Sequence, residues 1–118
     1  MGTDTVQVLT NATLKAARAL GLDEQELATA VGISVKQLAE LDCHASKFQP
    51  GTETGLRCML LIRLHAALAS QVGQNQDHVD RWLRSHNKAI GEIPLVAIST
   101  QPGLINVVAY LEQLHEGR

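Results

Sequence analysis

Five histidines, His44, His65, His78, His86 and His115, and two cysteines, Cys43 and Cys58, are the side chains of this sequence with the chemistry to hold a metal or attack a substrate. Their spacing argues against both. Zinc sites draw ligands from close pairs such as Cys-x-x-Cys or His-Glu-x-x-His. Neither pattern occurs, and Cys43 beside His44 is one adjacency in a stretch of loop residues. A cysteine nucleophile requires a base and an orienting third group. The sequence also lacks a glycine-rich phosphate loop and an acid pair in a known motif. The expectation is a protein with no catalytic residue, no metal and no cofactor. A lone cysteine pair without a secretion signal is ordinarily reduced, so free thiols are expected.

The rest of the composition describes a helical binding protein. Of 118 residues 45% are hydrophobic, enough for one core or for two small lobes sharing one. Aromatic residues are only 3%, one each of Phe48, Trp82 and Tyr110, so the core must be made of Leu, Ile, Val and Ala. Those residues pack well between helices, and the fold class expected is all-α. The most apolar run, Cys58 to Ile62, is interrupted by Arg63 and His65 before it is long enough to cross a bilayer. No basic and apolar leader opens the chain, and a cytoplasmic protein is expected. The net charge of −2, with no run of one sign, lacks the bulk signature of a nucleic-acid binder. DNA binding would have to be local and aided by dimerisation.

The elements that position these residues follow from periodicity and caps. Val6, Leu9, Ala12, Ala16, Ala17 and Leu20 recur at helical steps over Thr5 to Leu20, with Gly21 as a stop. Asp23 caps a short second helix carrying Leu27, Ala28 and Val31, ended by Gly32. Ser34 caps a third with Val35, Leu38 and Leu41. Cys43 to Gly55, rich in loop residues, is the expected boundary between a lobe at 1–50 and a second at 51–118. From Leu56 to Val72 a helix is apolar around most of its circumference, and is expected to be buried on several faces or to form a dimer contact. Asn75 or Asp77 caps a helix bearing Val79, Trp82 and Leu83. Pro94 starts a short helix through Ile98, and Pro102 opens a last one with Leu104, Val107, Val108, Leu111 and Leu114.

Residues Gln25 to Ser34, with Leu38, resemble an Xre-type helix-turn-helix: Ala28 lets the helices approach and Gly32 permits the turn. In such motifs the helix from Ser34 lies in the major groove, presenting Ser34, Val35, Lys36, Gln37 and Glu40 as candidate DNA contacts. Gln37 is the best base reader, since an amide pairs bidentately with adenine. Charge opposes this. Residues 1–50 hold Lys15, Arg18, Lys36 and Lys47 against Asp4, Asp23, Glu24, Glu26, Glu40 and Asp42, the wrong balance for phosphate. A three-helix scaffold without DNA is the alternative.

Further along come Trp82-Leu83, His86-Asn87, Ile90-Gly91, Pro94-Leu95, Ile98, Thr100, Gly103, Val107, Leu111 and Gly117. This order resembles the toxin-binding domain of the Xre/MbcA/ParS antitoxins: a Trp-Leu pair, an Asn, a Gly, a Pro-Leu, a Thr-x-x-Gly and a closing amphipathic helix. The resemblance implies an antitoxin of a type II toxin–antitoxin system. Such a protein dimerises, neutralises a RES-type NAD-consuming toxin by direct binding, and represses its own operon. Two departures stand out: His86 occupies a frequent Pro position, and only Arg118 follows Gly117, which puts the family's plugging of the toxin cleft by the chain end in question.

Read from chemistry alone, Trp82 is better placed in the core than at a contact, and Gly91 and Gly103 serve turns or helix starts. The residues put forward for toxin contact are Pro94, Leu95, Thr100, Gln113, His115 and Arg118. The expected partners are a cognate toxin, a second copy of the chain and operator DNA, with no membrane. A helix-turn-helix regulator without a toxin, or an orphan scaffold, is the alternative.

Overall fold

The computed structural model describes residues 5–42, 52–73 and 75–116, with side chains over 8–39, 52–73 and 75–114. Seven helices follow one another: α1 Thr5–Leu20, α2 Glu24–Val31, α3 Val35–Asp42, α4 Glu53–Val72, α5 Gln76–Arg84, α6 Pro94–Ala97 and α7 Gln101–Glu116. The described residues form no strand, and Asn87 and Glu92 make an isolated antiparallel bridge. The all-α class read from the sequence is the class observed.

Local chemistry accounts for the helix ends. Asp23 accepts from the Glu26 N–H at 2.8 Å while the Glu26 carboxylate accepts from the Asp23 N–H at 3.0 Å, a reciprocal capping box. Gly32 closes α2 at φ +81°, in the left-handed region that glycine enters without a Cβ penalty. Asn75 caps α5, taking the Asp77 N–H at 2.9 Å.

Two helix starts differ from expectation. Gly55 lies inside α4 rather than in the loop, because Thr52 Oγ1 accepts from the Gly55 N–H at 3.0 Å and starts the helix three residues before Leu56. The last helix starts at Gln101 rather than Pro102, since Thr100 Oγ1 accepts from the Gly103 N–H at 3.2 Å. Threonine caps a helix as serine and aspartate do. The rest of the expected Cys43–Gly55 loop, through Gly51, lies outside the described residues.

Helix α4 is the axis of the molecule, packed against α1, α2, α5 and α7. Its Cys58, Leu61, Leu64 and Leu68 are fully buried, in one cluster with Leu20 and Val31 from the N-terminal helices and Leu83, Ile98, Leu104 and Leu111 from the C-terminal ones. At roughly 1.5–3 kcal/mol per fully buried aliphatic side chain, this shared core is what joins α1 and α2 to the rest. The apolar circumference of α4 is not wholly covered: Leu56 and Met59 remain 43% and 48% exposed.

Candidate functional site

The loop between α5 and α7 holds most of the residues singled out in the C-terminal part, and it is built as a chain of small locks. The Asn87 side-chain oxygen accepts from the N–H groups of Ala89 and Ile90 at 3.0 and 3.2 Å, and its carbonyl accepts from Gly91 at 2.8 Å. Gly91 sits at φ +91°, which a side chain rarely tolerates. The chain then turns through Ile93 into the single turn of α6, where Pro94 has no N–H to leave unpaired.

Gly103 is fixed by close approach rather than by its dihedral angles. A Cβ there would lie 1.9 Å from the Ala97 carbonyl oxygen, far inside contact distance. The Thr-x-x-Gly pattern is thus one device: Thr100 caps the first turn of α7, and Gly103 lets that turn seat on the carbonyl end of α6.

Beneath this loop lies a residue that no motif pointed to. Arg57 of α4 is only 7% exposed. Its Nε donates to the Ala30 carbonyl at 2.8 Å, and its Nη2 donates to Thr29 at 3.0 Å and Ser99 at 3.1 Å. Thr29 and Ala30 belong to the last turn of α2, whose carbonyls carry the negative end of the helix dipole, Thr29 also accepting from the Gly32 N–H at 3.3 Å. Glu53 approaches Nη1 at 3.5 Å from a largely exposed position. The buried guanidinium is therefore compensated chiefly by carbonyl dipoles, and it ties the end of α2 to the turn before α7.

Two further ion pairs make similar connections. Arg84 of α5 donates to both Glu26 carboxylate oxygens, at 2.8 and 3.0 Å, and to the Gly21 carbonyl at 3.1 Å. The Arg84 hydrogen bonds hold the Glu26 carboxyl below its ordinary value, against an opposing effect of burial. Arg63 of α4 donates to Glu112 of α7 through Nε at 3.0 Å, and that bond lowers the Glu112 carboxyl too.

The proposed contact residues do not lie equally. Pro94 is buried, because α6 turns its first residue into the core. Leu95 is half-buried, Thr100 and Gln113 are exposed, and Val96, which sequence reasoning passed over, is 55% exposed. Ile105 and Leu114 of α7 are exposed as well. The His115 side chain and Arg118 lie outside the described residues. Trp82 is half-buried and packs against the core.

Of the candidate DNA contacts, Ser34, Val35, Lys36 and Gln37 are exposed, and the Glu40 side chain lies outside the described residues. Gln37 is already engaged. Its Oε1 accepts from the Ser34 N–H at 3.0 Å while its own N–H donates to Ser34 Oγ at 3.1 Å, a second capping box. Bidentate pairing with adenine would require breaking it.

The groups of reactive type are scattered. Among the described residues no three His, Cys, Asp or Glu side chains gather to hold a metal ion. Cys58 is buried, and burial pushes its thiol up to about 12 despite a hydrogen bond from Thr13 and the nearby Arg57 charge. A thiol so far from ionisation is a packing residue, not a nucleophile. Cys43 and His44 lie outside the described residues. Among the described residues no helix is long and apolar enough to cross a membrane.

Comparison with known proteins agrees with the placement of these locks. A search of curated proteins finds no match. Residues 67–117, from the C-terminal turns of α4 through the end of α7, match the model of the antitoxin Xre/MbcA/ParS C-terminal toxin-binding domain. That span contains the Asn87 turn, Pro94, Thr100 and Gly103, but not Arg57 or Glu26. Residues 67–117 are thus similar to the C-terminal toxin-binding domain of the Xre/MbcA/ParS antitoxins.

Proposed function

We propose that the chain is the antitoxin of a type II toxin–antitoxin pair, working in the cytoplasm and neutralising a RES-type, NAD-consuming toxin by direct, non-catalytic binding. The observation that carries the reading is the toxin-binding domain at residues 67–117. Within it the locked turn offers an apolar side chain to a partner: Val96 at 55% exposure, flanked by Leu95 and Thr100. Solvent-exposed aliphatic groups on a rigid turn suit a protein partner, because their burial contributes affinity with little ordering cost.

A second copy of the chain is the other proposed partner. Leu56, Met59 and Arg63 share one face of α4, and Ile105 and Glu112 one face of α7, by their spacing. The Arg63–Glu112 pair sets these two faces side by side. Three exposed aliphatic groups, Leu56, Met59 and Ile105, then flank a paired charge, a surface suited to a symmetric dimer. Autorepression through Ser34, Val35, Lys36, Gln37 and Glu40 is the subordinate part of the proposal, with dimerisation supplying two half-site contacts.

Expression of the neighbouring open reading frame, alone and together with this chain, tests the reading. Growth arrest that is relieved on co-expression, with a stoichiometric complex weakened by Val96→Asp, is the expected result. An innocuous neighbour that forms no complex would overturn it. Salt-sensitive operator binding would then identify a regulator without a toxin, and its absence an orphan scaffold.

A further inference from the structure

A cleft of about 610 Å³ opens between α1, α4 and α5, and none of its lining residues belongs to α6 or α7. Its apolar walls are Ala12, Ala16 and Ala19 of α1, Ile62 and Ala69 of α4, and Val79 of α5. Protein interiors are packed to near-crystalline density with few voids larger than a water molecule. Alanines at a three-helix junction ordinarily draw the helices together, whereas here they leave a volume within the range of small-molecule sites, about 300–1,000 Å³.

Charge completes the description. Lys15 of α1 and His65 of α4 line the cleft, and among the described residues no acidic side chain does. Neither takes part in an ion pair among the described residues. One ammonium and one imidazole facing apolar walls match a single negative charge on an aliphatic chain. A phosphate, with more oxygens to satisfy, would leave several without donors.

We propose that this cleft binds a small aliphatic monocarboxylate, its chain against the alanines and its carboxylate between Lys15 and His65. Since a water molecule takes about 30 Å³ in the liquid, the space admits octanoate, which has about ten non-hydrogen atoms, with room for water at the mouth. The site is separate from the proposed toxin-facing turn. Six of the eight residues named, Ala12, Lys15, Ala16, Ala19, Ile62 and His65, precede the span matched by the toxin-binding domain.

Titration of the full chain with sodium octanoate, followed by amide chemical shifts, is the test. Saturable shifts confined to Ala12, Ala16, Ala69 and Gly73 are expected. Octanamide, which lacks the charge, should bind about fivefold more weakly, as should octanoate to Lys15→Gln. Ala69→Leu, which fills the cleft from a half-buried position, should reduce binding more than tenfold while the melting curve shows it folded. The exposed Lys15→Gln change decides the matter without disturbing packing should the leucine variant fold poorly. Shifts that never saturate, equal binding of octanamide, or unaltered binding by Lys15→Gln would overturn the proposal. So would a cleft that ignores octanoate yet takes a peptide with leucine beside glutamate.

Discussion

The Arg57 guanidinium donates to the Ser99 carbonyl at 3.1 Å across 42 positions of sequence, and the same nitrogen donates to Thr29 at 3.0 Å. One side chain of the central helix therefore holds the end of α2 and the turn that opens α7. Gly32 reflects the same crowding: a Cβ there would lie 2.8 Å from Arg57 Nη1.

Arg57→Met should destabilise the chain by about 3 kcal/mol in urea unfolding, because three carbonyls, the buried one of Ala30 among them, lose a charged donor at once. Glu53→Ala should cost under about 0.5 kcal/mol, since the carboxylate is largely exposed. Equal stability of Arg57→Met and the parent would mean that water replaces the guanidinium.

Gly103→Ala should lower stability by about 3 kcal/mol, as the added methyl can be accommodated only by moving α7 off the Ala97 carbonyl. Thr100→Ala removes just the cap and should cost about 1 kcal/mol. Thermal melts of both variants decide whether close approach outweighs capping at this motif.

Acid should loosen the contact between α2 and α5. The Glu26 carboxyl is held below its ordinary value by Arg84, so its contribution is complete above the usual carboxylate range and is lost as pH falls through the lowered value. Glu26→Gln should thus be less stable than the parent at neutral pH and converge with it in acid. Denaturation midpoints across pH 2 to 7, on the order of one measurement per unit, check the sign. A gap between the two proteins that stays constant with pH would exclude the titration of Glu26 as its source.

Cys58 should resist alkylation in the native protein. With no exposed surface and a thiol pushed up to about 12, it offers iodoacetamide neither access nor thiolate. Peptide mapping should find the label at Cys58 only after denaturant is added. Native labelling there would show that α1 and α4 part readily.

The helices of this protein were legible wherever their causes are local. The bounds of α1, the caps at Asp23, Ser34 and Asn75, the stop at Gly32 and the Pro94 start depend on residues within about four positions of one another, and spacing alone expresses them. Gly55 was misplaced for a related reason: composition marked it as loop, and only the Thr52 hydrogen bond shows that the helix has already begun. The family pattern was legible too, because its Asn, Pro, Thr and Gly positions are short-range backbone devices in a fixed order.

Which face of each device meets solvent was not. Pro94 and Val96 are two residues apart in one turn of helix, yet the first is buried and the second exposed, and that depends on how α6 lies on the core. The same holds for the arginines. Arg57, Arg84 and Arg63 read as ordinary surface charges in sequence, while their partners, Glu53 apart, stand 27 to 63 positions away. Short-range hydrogen bonding and helical periodicity write the secondary structure into the sequence. Burial of a charge, and the carbonyls that compensate it, exist only once the helices have packed, so the tie between α2 and the turn before α7 was decided by the tertiary structure alone.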